Sequence, residues 1–557
     1  MATYTYKAKK IIAVFFLIPA LFCANLDITG AAKNEGQGIH YIPVKNKNIP
    51  DYPGRDIGLS RPEIGSNHND GKSIEKKSDE PWLTRNEFIY YFNSVIFILA
   101  VSIMSAYIIL AILSFFEIRK YKRTNGFINY DVLLSCSLSP DISIIAPAFN
   151  ESKTIIHNIN SLLCLRYSNY EVIVVNDGST DDTMEKIIRH FELIPFDVPL
   201  YKELLPTKKI RMIYTSRKQS LSNLFVIDKE NGGKSDALNA GINFSKKSYI
   251  VCMDVDSLLI KDSLLKLVKP VMEEVNKRVI AVGGVVRIVN GCDIKRGHIE
   301  EVSTSDILLS NIQIIEYLRA FLLGRMAWSH LNSLVLISGA IGLFDKEIVI
   351  KAGGYSTKTV GEDMELVVRM RKYMTQTKQK YLIKYVPDPL CWTESPEKVS
   401  ILIKQRSRWI RGTMETLYRH KDMFLNPKYG KFGLIGLPYW FIFEYLYIWV
   451  EFIGILITVY FIVSGIISWK FFFFLALFVY SFAVFFSIIA LLTDEVSYSH
   501  YTKKKHIKSL IKAAFLEPFY FHPLVLYAGI KGNFQKLFGL NNWGKMKRKG
   551  FDDKENS

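Results

Sequence analysis

Four stretches of the chain are apolar almost without interruption: residues 11–25, 88–115, 437–463 and 471–493. Between the second and the third, short apolar runs alternate with amphipathic ones. ISIIAPAF (142–149), YEVIVVNDGS (170–179), IRMIY (210–214) and YIVCMDVDS (249–257) are rich in β-branched residues, and the pattern predicts buried strands. SKTIIHNINSLLCL, after the first of them, has helical spacing, as does MELVVRMRKY further on. Strands alternating with helices predict an α/β domain from Asp141 to about Arg419, with a mostly parallel sheet covered on both faces. Ligands of such sheets sit beyond the carboxyl ends of the strands. Two of the predicted strands end there in acids.

The long apolar stretches divide the rest. IIAVFFLIPALFCAN (11–25) follows the cationic KAKK and predicts a signal peptide or a first transmembrane helix within residues 1–30. Residues 31–86 are polar, lack apolar periodicity and read as a flexible extracytoplasmic segment. The uncharged run at 88–115 predicts a transmembrane helix at 87–116. EIRKYKR follows at once, so the positive-inside rule puts the domain at 117–420 in the cytoplasm. A C-terminal membrane region is expected over 421–531, with spans at about 437–463 and 471–493. Glu444 and Glu451 fall in or beside the first of these and are expected to face a cavity or the interface. The apolar sequence at about 508–531 contains Glu517, Pro518, His522 and Pro523. A crossing there would put the basic tail, 532–557, outside, so interfacial or re-entrant helices are expected instead.

Composition sharpens this picture. The 557 residues are 49% hydrophobic and 22% charged, which excludes disorder throughout. The net charge of +18 fits flanks that face anionic lipid. Nucleic acid is not expected as a partner, because the basic residues lie beside spans or in the candidate site, without a stacking platform. The six cysteines form no CxxC pair, which argues against a zinc site or a disulfide framework.

Within the α/β region five short motifs could carry chemistry. In DVD (254–256) an extended chain would point Asp254 and Asp256 the same way, toward a divalent cation and a diphosphate. Asp-x-Asp also occurs at strand ends with no metal. VVNDGST (174–180) could offer Asp177 to a uracil or ribose donor, or form a capped turn. NGGKSDALNAG (231–241) exposes backbone amides and sets Lys234 at a helix start, which suits phosphate; a plain Gly-rich turn would look the same. The first strand is followed by no GxGxxG, which argues against a dinucleotide-binding oxidoreductase. GED (361–363) puts Glu362 and Asp363 at a helix N-terminus, where an ionised carboxylate could act as a general base or simply be an acidic first turn. QRSRWIRG (405–412) sets arginines beside an indole shortly before membrane sequence, which also describes a juxtamembrane anchor.

The order of these motifs inside an α/β domain flanked by spans resembles the membrane-embedded, polymer-making family 2 glycosyltransferases: cellulose, hyaluronan, chitin and poly-N-acetylglucosamine synthases. The resemblance covers about 140–550, and Gln405, Arg408 and Trp409 match its QxxRW. It implies a GT-A fold and inverting transfer from a UDP-sugar (UDP-glucose or UDP-N-acetylglucosamine) to a β-linked polysaccharide that is extruded across the plasma membrane. Mg²⁺ or Mn²⁺ is the implied cofactor. By resemblance Asp177 would bind the uridine end, Lys234 the diphosphate region, and Asp254 and Asp256 the metal, with Asp256 the direct ligand. Asp363 would be the catalytic base, Arg408 would neutralise leaving UDP, and Gln405 and Trp409 would meet the acceptor. The chain departs from the pattern in two places: GED stands for TED, and LISGAIGLF (336–344) stands for an acceptor segment that carries a Cys. Accessory export or regulatory subunits, a non-processive transferase and an inactive scaffold subunit remain open on the sequence.

Overall fold

Strand-forming runs that are apolar on both faces must be covered on both faces, and the burial of the chain follows that rule. The structure, a computed structural model, describes residues 85–125, 134, 139–197, 203–295, 297–498, 500–501 and 503–539. The first apolar stretch, the polar segment up to residue 84 and the tail from residue 540 lie outside the described residues.

The strands are β1 (Ile142–Ala148), β2 (Tyr170–Asp177), β3 (Leu193–Pro195), β4 (Ile210–Ser216), β5 (Leu224–Lys229), β6 (Tyr249–Cys252), β7 (Leu258–Leu259), β8 (Arg278–Ile288), β9 (Asp293–Lys295), β10 (His298–Glu301), β11 (Gly342–Asp345) and β12 (Tyr381–Thr393). Ten of them form one sheet in the order β3-β4-β5-β2-β1-β6-β11-β8-β12-β7, and β9 and β10 form a separate hairpin. The central strands β5, β2, β1 and β6 are parallel. β11 runs antiparallel between β6 and β8, so the sheet is mixed. β1, β2 and β8 are buried almost end to end, as strands between two helical layers must be. The helices Lys234–Phe244 and Glu362–Gln376 start beside the carboxyl ends of this sheet's strands and carry two of the candidate motifs.

The chain divides into two units, Met1–Ile98 and Leu99–Ser557, with the boundary inside a helix that runs from Arg85 to Asn125. Among the described residues three helical stretches are long and apolar enough to cross a membrane: Asn86–Asn125, Phe432–Val463 and Trp469–Tyr498. The chain is a membrane protein. Inside Phe432–Val463 the turns Phe432–Gly436 and Trp440–Leu446 are π-helical. Where the sequence suggested interfacial or re-entrant helices at 508–531, one helix runs unbroken from Lys504 to Leu537, with Pro518 and Pro523 inside it. It lies along the helix Val399–Arg419, where Ser407 Oγ donates to the Ala528 carbonyl at 2.7 Å. Glu451 is paired with His522 of the long helix at 2.6 Å, so its charge is met by a partner on a neighbouring helix.

Candidate active site

The site forms where the ends of β2 and β6 meet the starts of two helices. Asp177 ends β2 and is buried. Its Oδ1 accepts from Lys229 Nζ at 2.6 Å and from the Gly232 amide at 2.9 Å, and its Oδ2 accepts from the Gly233 amide at 2.8 Å. Asn231 Nδ2 donates to the Asp177 carbonyl at 2.8 Å. The carboxylate therefore shapes the NGG turn that delivers Lys234. Lys229 is fully buried and also pairs with Asp236 at 2.6 Å, so one ammonium joins two carboxylates under the turn. Nothing in the local sequence marked Lys229, because its role arises only when β5 docks beside β2.

Lys234 opens its helix and points at acids from two other elements. Its Nζ lies 2.5 Å from Asp254 Oδ1 and 3.7 Å from Glu362 Oε1. Burial works against its charge, but Asp254, Glu362 and Asp363 outweigh burial and raise the ammonium above its ordinary value. Glu362 is pushed up by burial and by neighbouring Asp363, while Lys234 and Arg408 pull it back. The helix N-terminus was expected to favour the ionised carboxylates of the GED segment. Glu362 departs from this because it is buried, and burial wins. Asp363 is partly exposed in the first turn of Glu362–Gln376. Its Oδ1 accepts from the Met364 amide at 2.8 Å and its Oδ2 from the Gly339 amide at 3.1 Å. Gly339 belongs to LISGAIGLF, so that segment reaches the site, and a Cβ on it would stand 2.9 Å from Lys234 Nζ.

The DVD stretch differs from expectation. Residues 254–257 make a turn closed by the Ser257 amide donating to the Asp254 carbonyl at 3.0 Å, so the alternation of an extended chain does not apply. Asp254 is 30% exposed beside Lys234, whereas Asp256 is buried. Among the described residues no group of three or more His, Cys, Asp or Glu side chains is placed to hold a metal ion. Two carboxylates at one strand end are hard oxygen donors that suit Mg²⁺ or Mn²⁺ when a diphosphate supplies further oxygens. The residues fit such an ion only together with a phosphorylated ligand.

QRSRWIRG lies in the helix Val399–Arg419. Gly412 meets Gly361 of GED so closely that a Cβ on Gly361 would stand 2.8 Å from Gly412 Cα. Arg408 precedes Gly412 by one helical turn and therefore faces the same side, toward Glu362. Gln405 Oε1 is buried with no hydrogen-bond partner among the described residues. The Trp409 ring is 41% exposed, and the Arg406 guanidinium lies 4.0 Å from its centroid. Arg406 is itself fixed by Glu316 at 2.6 Å. Arg406 and Glu316 were not legible as site residues, since their pairing spans ninety residues of sequence.

A mixed α/β sheet with acids, a lysine and an arginine gathered at its strand ends, carried on membrane helices, is the arrangement of a GT-A glycosyltransferase. Residues 140–412 match the family described as Glycosyltransferase like family 2, and residues 356–520 match the one described as Chitin synthase. The chain is 30% identical over 352 residues to the poly-beta-1,6-N-acetyl-D-glucosamine synthase of Staphylococcus aureus (strain COL), covering 62% of this chain and 71% of that protein. The synthase of the same name from Staphylococcus epidermidis is 30% identical over 298 residues, covering 54% of this chain and 60% of the relative. A solved mannosyltransferase from Pyrobaculum calidifontis, in complex with GDP-Man and Mn²⁺, aligns with a TM-score of 0.42 at 15% identity, over 80% of this chain and 99% of its own. The chain belongs to the family 2 glycosyltransferases, and it is a glycosyltransferase enzyme.

Proposed function

We propose that this protein polymerises N-acetylglucosamine from UDP-N-acetylglucosamine into a β-linked glycan, with inversion at the anomeric carbon, and passes the product across the plasma membrane. The observation that carries the reaction is the meeting of Asp363, Lys234 and Asp254 at one end of the sheet, with Arg408 facing them. The choice of sugar is supported by the staphylococcal relatives, whose names state it.

Asp363 is held by two backbone amides, so its carboxylate has a fixed direction and can take the proton of an acceptor hydroxyl. Lys234, at the start of its helix beside Asp254, is placed to meet the donor's diphosphate. A divalent cation held by Asp254 and Asp256 would supply charge stabilisation for the departing UDP. Arg408 approaches from the opposite helix and adds to that stabilisation. Asp177 contributes to the uridine end by shaping the NGG turn. Gln405 and the open part of the Trp409 ring receive the acceptor sugar. The catalytic domain lies in the cytoplasm of a multi-pass protein, as the basic run after the first span directs. Processive addition and export are supported by the proximity of Trp409 in sequence to the span that begins at Phe432.

Radiolabel incorporation by membranes that contain the protein tests this reading. UDP-N-acetylglucosamine, UDP-glucose, UDP-glucuronate and UDP-galactose are offered separately with Mg²⁺ or Mn²⁺, beside an Asp363→Asn control. Label from UDP-N-acetylglucosamine in an ethanol-insoluble, high-molecular-weight product is expected. Label confined to solvent-extractable lipid would establish single-sugar addition in place of polymerisation. Polymer from another donor would keep the reaction and replace the sugar.

A further inference from the structure

The turn that delivers Asp363 does not hold itself. Thr359 is buried, and its Oγ1 accepts from the Gly361 amide at 3.2 Å while donating to Glu415 Oε2 at 2.8 Å. The Val360 amide donates to the same Glu415 oxygen at 3.1 Å. Glu415 stands on Val399–Arg419, one turn beyond the Gly412 that touches Gly361. Its other oxygen accepts from Lys536 Nζ at 2.8 Å, in the last turn of Lys504–Leu537. Burial disfavours the Glu415 charge, but the bonds from Lys536, Thr359 and Val360 outweigh it and hold the carboxyl below its ordinary value. The two helices are locked at a second point as well: a Cβ on Gly532 would stand 2.5 Å from the Ser407 carbonyl oxygen. An unbroken chain of contacts thus runs from the last helix through Glu415 to the turn at 359–361, two residues from the base.

We propose that Glu415 and Lys536 are positioning residues: the Lys504–Leu537 helix, through this ion pair, fixes the Thr359–Gly361 turn and so the aim of Asp363. The inference rests on the reading of Asp363 as the base. It assigns the C-terminal helix a part in the reaction beyond anchoring. Position 361 carries no side chain in this chain, which leaves room for its contact with Gly412.

The test uses the full-length protein in lipid nanodiscs, with Lys536→Met, Lys536→Arg, Glu415→Ala and Asp363→Asn. Amide hydrogen exchange reads the hold directly and does not depend on which sugar is used. In Lys536→Met and Glu415→Ala, exchange over 359–363 is expected to rise at least about tenfold while the Lys234–Phe244 helix keeps its protection. With the donor that gives polymer, kcat is expected to fall about 10- to 100-fold with the donor KM within about twofold, since small misplacements of a catalytic group cost that much. Lys536→Arg should recover most of the loss. Added to Asp363→Asn, Glu415→Ala should lower the residual rate no further. Unchanged exchange over 359–363, or equal effects of Glu415→Ala with and without Asp363, would overturn the positioning role. Full transfer by Asp363→Asn alone would instead overturn the reading of the base, while the exchange result would still stand for the mechanical link.

Discussion

At the scale of single residues the site works by giving each charge a fixed neighbour. Asp363 has both oxygens occupied by backbone amides, so its direction is set by the chain and not by solvent. Replacing it with Asn preserves the shape but removes the proton acceptor proposed for the reaction. Transfer by Asp363→Asn is expected to fall by about 10²- to 10⁴-fold, the usual worth of a general base, with UDP affinity within about twofold of wild type. Calorimetric UDP binding beside the radiolabel assay checks this, and a loss of UDP binding equal to the loss of transfer would remove the general-base role. Trp409 offers a contrasting case. Its ring is 41% exposed with Arg406 across it, so Trp409→Ala should harm elongation more than donor hydrolysis, measured as polymer label against UDP release. Equal loss of both would place the indole at the donor instead. The residues a sequence can show are those whose chemistry sits in a short motif, as Asp363, Lys234 and the QxxRW match do. Lys229 and Glu415 lie outside any motif, because each acquires its meaning from a partner on another element tens of residues away, Asp177 for the first and Thr359 and Lys536 for the second.

At the scale of elements, periodicity made the strands around the site legible, since β1, β2 and β6 are apolar on both faces and end where the motifs stand. It could not show that Asp254–Ser257 closes into a turn, because the apolar alternation of MDVD is the same for either backbone. Nor could it foresee the unbroken Lys504–Leu537 helix, which holds two prolines inside and draws support from the helix beside it. The start of Glu362–Gln376 is held by a further buried cluster. Glu365 accepts from Arg369 and lies 3.1 Å from His420 Nε2, at the end of Val399–Arg419. Burial opposes its charge, but His420 and Arg369 outweigh burial and hold the carboxyl down to about 2, from an ordinary value near 4.5. A depressed carboxylate stabilises the fold above its unfolded value and loses that contribution as pH falls toward the folded one. Glu365→Gln is therefore expected to cost about 3 kcal/mol at neutral pH, and the gap to wild type should close between about pH 4.5 and 2. Denaturant unfolding followed by tryptophan fluorescence at several pH values measures the gap. A gap that does not change with pH would mean that the cluster holds by packing alone.

At the scale of the whole molecule, the α/β domain is tied to the long helices around it by ion pairs and hydrogen bonds that are partly to fully buried. Asp388 of β12 accepts from Tyr121 and pairs with Lys266 at 3.2 Å, next to the end of the first described helix. Arg319 makes a two-point contact with Glu517 and reaches Ser487 Oγ at 2.5 Å. The most enclosed pair is Arg287, near the end of β8, with Asp494 of Trp469–Tyr498, both 2% exposed. This pair joins a strand two places from β6 in the sheet order to a helix long and apolar enough to cross a membrane. Two buried charges of this kind add little net stability, but removing one leaves the other stranded, at a cost of about 3–5 kcal/mol. Asp494→Asn should therefore lower the thermal midpoint of the detergent-solubilised protein well below wild type. Replacing both residues together, Arg287→Met with Asp494→Leu, should recover most of that stability. If the double variant is then as stable as wild type but makes less polymer per folded molecule, the pair serves alignment of sheet and membrane. If stability and synthesis recover together, its part is confined to folding. Thermal unfolding and radiolabel incorporation on the same preparations separate the two, because the first reads only the fold and the second also needs a correctly assembled active site.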